Sequence, residues 1–210
     1  YMAQDRPDIN FGSKEASRGM SCPTRLDTVK LKRMIRYLSN ARRRAIKHTW
    51  QDPTDQLTVF SDSDWAGCVK TRRSTSGGVL LHGRHFVHHW SSTQATVALS
   101  SAEAELNAIV KGMAEVIGAK SMVEECFRSC RGRIFTDSSA ANGIVHREGC
   151  GKVKHLECRQ LWIQGMVGSG KVTCFEVPRA DNPADAMTHY WNITEKICLV
   201  DPDCSRVENT

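Results

Sequence analysis

The spacing of apolar positions along the chain changes character several times. Residues 1–50 carry a helical pattern, with Leu31, Met34, Ile35 and Leu38 falling on one helical face and Pro7 and Pro23 interrupting the earlier part. The polar run Gln51-Asp52-Pro53-Thr54-Asp55 predicts a linker over residues 51–56. From Leu57 the pattern turns to strands. Leu57–Ser61 is short, apolar and β-prone, and leads directly into Asp62. Gly77–His82 and His85–Trp90 predict two further strands joined by a two-residue Gly83-Arg84 turn. Ser100 and Glu103 have capping-box spacing ahead of an alanine-rich amphipathic helix to about Phe127, with Gly118 a candidate break. Arg133–Thr136 predicts a strand ending at Asp137, followed by helices over Ser138–His146 and His155–Met166. Lys171–Val177 predicts a last strand, and Pro183–Tyr190 a short closing helix with proline early in it. The order is three strands, helix, strand, two helices, strand, helix: a mixed α/β domain on one sheet.

Composition narrows the class. Of 210 residues, 40% are hydrophobic and 25% charged, which suits a globular fold. No apolar stretch approaches the roughly 18 residues that span a bilayer, and no signal-peptide pattern opens the chain. Opening on Tyr1 rather than Met suggests a fragment of a longer product. The net charge of +6 favours polyanionic partners, and the bases crowd into one stretch, Lys30, Lys32, Arg33, Arg36, Arg42, Arg43, Arg44 and Lys47. That stretch is open to two readings, a solvated helix face or a phosphate contact. Nine cysteines at irregular spacing, without C-x-x-C, predict reduced thiols rather than disulfides or a zinc ribbon. The histidines, including His85, His88 and His89, match no ligand pattern and are read as structural.

Four acids are placed where α/β sheets assemble sites: Asp62 after the first strand, Glu105 in the long helix, Asp137 after the fourth strand and Asp185 in the last helix. Converging carboxylates repel unless cations neutralise them, and clustered oxygen donors suit Mg²⁺ or Mn²⁺. Each acid also has an ordinary reading: Asp62 and Asp64 as turn residues, Asp137 as a helix N-cap, Asp185 as a surface acid. Glu105 is harder to dismiss. It falls on the apolar stripe of Ala102, Leu106, Ile109, Met113 and Val116, whereas Glu103 projects away with Asn107 and Lys111 as a solvated glutamate should.

Taken together, the motifs resemble a known family. Phe60-Ser61-Asp62-Ser63-Asp64-Trp65-Ala66-Gly67 and Thr71-Arg72-Arg73-Ser74-Thr75-Ser76-Gly77 resemble the opening of the RNase H domain of copia-type LTR-retrotransposon Pol polyproteins. Trp90-Ser91-Ser92, Ser100 to Glu105, Thr136-Asp137-Ser138 with Ala141, Lys154-His155, Val177-Pro178 and Ala184-Asp185 follow in the same order. The likeness runs from about Leu57 to Trp191. Upstream, Tyr1-Met2-Ala3, Arg6-Pro7-Asp8-Ile9 and residues 32–38 resemble the end of a reverse transcriptase.

The resemblance implies an RNase H-like α/β fold: a mixed five-stranded sheet, strands 1–3 antiparallel, flanked by helices and preceded by a basic helical extension. It divides the chain into a reverse-transcriptase remnant (1–50), a linker (51–56), the RNase H domain (57–191) and a loosely held tail (192–210). It implies that Asp62, Glu105, Asp137 and Asp185 bind two Mg²⁺ ions, with Mn²⁺ as substitute, and that the domain cuts the RNA strand of RNA–DNA hybrids by in-line attack, leaving a 5′ phosphate. Arg72, Arg73, Ser74, Ser76 and Ser138 become candidates for contact with the nucleic acid, and 2′-hydroxyls for telling RNA from DNA. The expected partners are the hybrid and the upstream reverse transcriptase; the expected location is a cytoplasmic virus-like particle or the nucleus. Arg179-Ala180-Asp181-Asn182 leaves vacant the loop histidine of cellular RNases H, as is usual in copia-type domains. The pattern departs from the family in two places: Leu106 replaces a frequent aromatic, and Ser92 stands where a base is common.

Two rivals stand beside the nuclease: a domain that grips hybrid without cutting it, and an inert scaffold packed against the polymerase. An integrase-type nuclease is disfavoured because its glutamate comes third, not second. No paired-aspartate strand-turn-strand motif is present, so DNA synthesis is not expected of this chain.

Overall fold

The structure, a computed structural model, describes residues 2–42, 44, 46–127, 129–149 and 158–190. One five-stranded sheet organises it: β1 (Gln56–Asp64), β2 (Thr75–His82), β3 (His85–Thr93), β4 (Arg131–Thr136) and β5 (Val172–Glu176), in spatial order β3-β2-β1-β4-β5. β1, β2 and β3 form an antiparallel meander, and β4 pairs parallel with both β1 and β5. The fold has the mixed five-stranded sheet and flanking helices expected for the RNase H class. The β2–β3 hairpin closes on the expected Gly83-Arg84 turn, where Gly83 takes the positive φ of 60° that a tight turn demands.

Three helices precede the sheet: α1 (Met2–Asp5), α2 (Asn10–Ser17) and α3 (Arg25–Asn40), with a 3-10 turn at Pro7–Ile9. On one face of the sheet lie α4 (Ser101–Cys126), α5 (Ser139–His146) and α6 (Cys158–Gly168). Leu57 and Val59 of β1, Ile134 of β4 and Val172 of β5 meet Leu106, Ile109, Met113 and Val116 of α4 there, all essentially unexposed. Each such side chain contributes about 1.5–3 kcal/mol of burial. The opposite face is smaller: Val79, Leu81 and Phe86 pack with Met187 of the closing 3-10 turn, Pro183–Met187.

The position of α4 decides the geometry of the site. Gly112 faces β1, and a Cβ there would come within 2.9 Å of Val59 Cγ1, so glycine lets helix and strand approach closely. Ser100 caps the helix, its Oγ accepting from the N–H of Glu103 at 3.2 Å. Gly118 does not break the helix, which runs on to Cys126.

Several expectations are corrected here. β1 extends to Asp64, so Asp62 lies inside the strand, paired with Gly77, rather than after its end. Glu103 is not solvated. It is 8% exposed, and its Oε2 accepts from the N–H of Leu99 at 2.8 Å, tying the preceding loop to the helix. The closing helix is a single 3-10 turn, begun by Pro183 and capped by the side chain of Asn182. The predicted start at His155 and the tail at 192–210 lie outside the described residues.

The N-terminal helices touch the sheet. Lys14 donates to Thr75 Oγ1 at 2.8 Å, Arg18 approaches Cys68 Sγ at 2.7 Å, and the rings of Phe11 and Tyr190 meet edge-to-face at 5.0 Å. The linker is held as well, with Gln51 bonded to the His82 carbonyl and the Arg84 N–H. Among the described residues Cys22, Cys68, Cys126, Cys130 and Cys174 are joined in no disulfide, and no helix is long and apolar enough to cross a membrane.

Candidate metal centre and its surroundings

Asp62, Glu105 and Asp137 converge from three elements. β1 carries Asp62, α4 carries Glu105, and Asp137 directly follows β4, the parallel neighbour of β1. Each offers a carboxylate oxygen, and these oxygens lie within 4.8 Å of one another. Asp62 is 5% exposed and Glu105 9%. Ser63 holds Glu105 in place, donating to Oε1 from its N–H at 3.2 Å and its hydroxyl at 2.8 Å. The other oxygen, Glu105 Oε2, is buried with no hydrogen-bond partner.

Burial and mutual repulsion outweigh the compensation these carboxylates receive from the described residues. Burial, reinforced by Asp137 and Asp185, pushes the Asp62 carboxyl up to about 7, although a hydrogen bond from Thr188 works the other way. Burial and the neighbouring Asp62 push Glu105 up to about 8. Burial also raises Asp137, against the pull of Arg179. An orphaned buried oxygen beside two repelling carboxylates fits a divalent cation with oxygen ligands, and the donor set suits Mg²⁺ or Mn²⁺ better than a soft metal.

Asp185 lies outside this trio. Its two oxygens face Arg179 Nη2 at 3.4 Å and His189 Nδ1 at 3.5 Å. It is still near enough to raise both Asp62 and Asp137. Arg179, from the stretch that lacks the loop histidine, thus places a guanidinium beside the acids. Asp64 is elsewhere, accepting from the N–H of Thr75. Asp137 is not the N-cap of α5; Ser138 is, its Oγ accepting from the N–H of Ala141 at 3.2 Å.

The candidates for nucleic-acid contact separate into two groups. Arg72 and Arg73 are exposed on the loop between β1 and β2, and Ser138 is half-buried beside Asp137. Ser74 and Ser76 face inward at 0% and 3% exposure. The hydroxyl of Ser74, in the loop just before β2, accepts from the N–H of Ala66, and that of Ser76 accepts from Gln94 Nε2 inside β2, an interior strand buried along most of its length. Both hydroxyls thus already support the loop and the sheet, and neither is exposed.

Two residues that the sequence reading did not single out hold the acids. Thr188 donates to Asp62 Oδ2, and Asn182 Nδ2 donates to the carbonyl of Ser61 at 3.0 Å, fixing the closing turn against β1. Their signal was faint: both are small polar residues flanking Asp185.

No protein-family model matches the chain. A retrovirus-related Pol polyprotein from transposon RE1 of Arabidopsis thaliana is 30% identical over 195 residues, covering 90% of this chain and 13% of that protein. A shorter likeness, 37% identical over 118 residues, covers 55% of this chain and 81% of secreted RxLR effector protein 161 of Plasmopara viticola. This chain spans only 13–15% of the length of the Pol polyproteins it matches. Among solved structures, LC11-RNase H1, isolated from compost, superposes with a TM-score of 0.51 at 14% identity, over 64% of this chain and 93% of that one. That likeness is one of fold.

Proposed function

We propose that this chain, which belongs with the copia-type Pol polyproteins of transposons and has an RNase H-like fold, hydrolyses the RNA strand of RNA–DNA hybrids as part of a longer polyprotein. The observation that carries the reading is the trio Asp62, Glu105 and Asp137, with Asp62 and Glu105 buried and Glu105 Oε2 orphaned. Asp62, Glu105 and Asp137 would hold one Mg²⁺, and Asp62 with Asp185 a second. When bound, such a pair supplies charge neutralisation at the phosphate and lowers the pKa of an attacking water. The protein's own part is positional. Ser63 fixes Glu105, Thr188 fixes Asp62, and the closing turn carries Asp185 to the same end of the sheet. Arg72 and Arg73, exposed on the neighbouring loop, contact the backbone phosphates. The upstream reverse transcriptase of the same polyprotein is the natural partner, and the particle or nucleus that contains it the place of action.

One observation favours a second reading, a domain that binds hybrid and cuts it weakly or not at all: both oxygens of Asp185 face Arg179 and His189 rather than the other acids. Cleavage of a labelled RNA–DNA hybrid with Mg²⁺ or Mn²⁺, beside Asp137→Asn and a double-stranded DNA substrate, separates the two. Hybrid-specific cutting lost in the variant supports the nuclease. Tight hybrid binding by a folded protein without metal-dependent turnover supports the binding module.

A further inference from the structure

A lysine on a helix ordinarily lays its stem along apolar surface and keeps its ammonium in water. Lys111 of α4 does otherwise. It is half-buried, its Nζ donates to Ser92 Oγ at 2.8 Å, and it lies 6.0 Å from the ring centroid of Trp90, itself 6% exposed. An ammonium has three N–H donors, and the hydroxyl of Ser92 takes one. Glu115, one turn further along the helix, acts on it only through space.

The place it occupies is connected to the acidic centre. Ser92 on β3 pairs with Ser76 on β2, and Ser76 with Ser63 on β1, the residue that holds Glu105. Two strand spacings, roughly 10 Å, separate the backbone of Ser92, which holds the ammonium, from that of Ser63, which holds Glu105. Polar groups fill the interval. Gln94 Nε2 donates to Ser76 Oγ at 3.0 Å and to the carbonyl of Ala104 at 2.8 Å, and Asn107, one turn before Lys111, donates to Gln94 Oε1 at 3.3 Å. A nucleic-acid strand carries one phosphate per about 3.4 Å of axis, so 10 Å corresponds to about three nucleotides.

We propose that Lys111 is a phosphate contact, gripping the nucleic-acid backbone about three nucleotides from the bond at the acidic centre. The charge that β3 itself lacks at Ser92 is supplied by α4, whose Lys111 reaches that hydroxyl. Ser92 then acts as the tether that keeps the ammonium aimed. This assignment rests on the reading of the chain as a hybrid-binding nuclease. It adds to that reading a specific positioning residue outside the acids and outside the loop that carries Arg72 and Arg73.

The test uses the full chain with Asp137→Asn to prevent cutting, and measures binding of a fluorescently labelled RNA–DNA hybrid by anisotropy over a range of salt. Lys111→Met keeps the apolar stem over Trp90 and removes the charge. The expected result is about tenfold weaker binding and a salt slope smaller by about one unit, with Lys111→Arg retaining both. In the cutting-competent chain, Lys111→Met raises KM and leaves kcat nearly unchanged. Should Lys111→Met fold poorly, Ser92→Asp neutralises the ammonium in place and gives the same weakening. Unchanged affinity and slope in a folded charge-removing variant overturn the assignment alone. A parent protein that neither binds nor cuts hybrid overturns the functional reading and the assignment with it.

Discussion

Asp8, in the N-terminal helical extension, and Asp62, on the first strand, are about equally buried, at 6% and 5% exposure, yet their charges are met in opposite ways. Asp8 accepts from Arg6 Nε and Nη2 at 2.9 and 2.6 Å and from the hydroxyl of Tyr37 at 2.8 Å, with Arg44 3.7 Å away. Burial alone would raise it, but these cationic and hydroxyl donors hold it below the usual carboxylate range. Asp62, among the described residues, accepts from Thr188 and faces Asp137 and Asp185, so burial and these neighbours push its carboxyl up to about 7. A buried acid kept for structure brings its partners with it. A buried acid left among other acids is unsatisfied until something outside the protein arrives.

The largest expected effects test that contrast directly. Glu105→Gln or Asp62→Asn removes a ligand worth several kcal/mol of charge stabilisation, so hybrid cleavage falls by about 10³-fold or more. Metal-free thermal stability stays level or rises, because a repelling charge is gone. Asp8→Asn does the reverse. It leaves Arg6 without its partner and costs about 3 kcal/mol in urea denaturation, while cleavage per folded molecule holds. Loss of stability in the Asp62 variant, or loss of turnover in the Asp8 variant, would break the contrast.

Metal and pH sharpen it next. Asp62 and Glu105 have folded pKa values of about 7 and 8, above the unfolded range. Their contribution to stability is therefore fully present below about pH 4 and lost as pH rises through 7 to 8. Asp8 has a lowered pKa, so its contribution is present above the unfolded value and is lost as pH falls below it. Metal-free protein should lose stability between about pH 4 and 8. Mg²⁺ at a hundred times its Kd should restore about 2.7 kcal/mol at the alkaline end. Calorimetry with and without Mg²⁺ at pH 5 and 8.5 checks this; an equal Mg²⁺ effect at both values would count against the acids as its site.

The contrast also shows what the sequence alone could and could not reveal. The strands, the Gly83-Arg84 turn and the start of α4 were legible because alternation, turn chemistry and capping are local. Glu105 stood out because a carboxylate interrupted an apolar stripe. Glu103 was misjudged because its burial depends on Leu99 N–H, a loop group that no helical projection contains. Ser74 and Ser76 were candidates for contact only through the motif that carries the resemblance, beside Arg72 and Arg73, and that motif says nothing of burial. The burial of Ser76 follows from β2 being an interior strand of the sheet, and that of Ser74 from the loop folding back to bond it to Ala66, both facts of topology. Thr188 and Asn182 were invisible for the same reason: each acts on β1, more than a hundred residues away.

The smallest effect concerns the hydrogen bond that Asp62 accepts from Thr188. Thr188 Oγ donates to Asp62 Oδ2 and also lies 2.9 Å from the carbonyl oxygen of Asp185, so its single proton serves one acceptor at a time. Thr188→Val keeps the shape and removes the donor. The Asp62 carboxylate then loses its orientation and the one hydrogen bond that favours its charged form. Outer partners of metal-binding carboxylates are typically worth 10–100-fold, and with a single bond at stake the loss should be about tenfold in hybrid cleavage at limiting Mg²⁺. Raising Mg²⁺ should recover most of it, and Thr188→Ser, which keeps the hydroxyl, should behave like the parent. A loss that saturating Mg²⁺ leaves untouched would mean that Thr188 only packs the closing turn against the sheet, and that Asp62 is oriented by the strand itself.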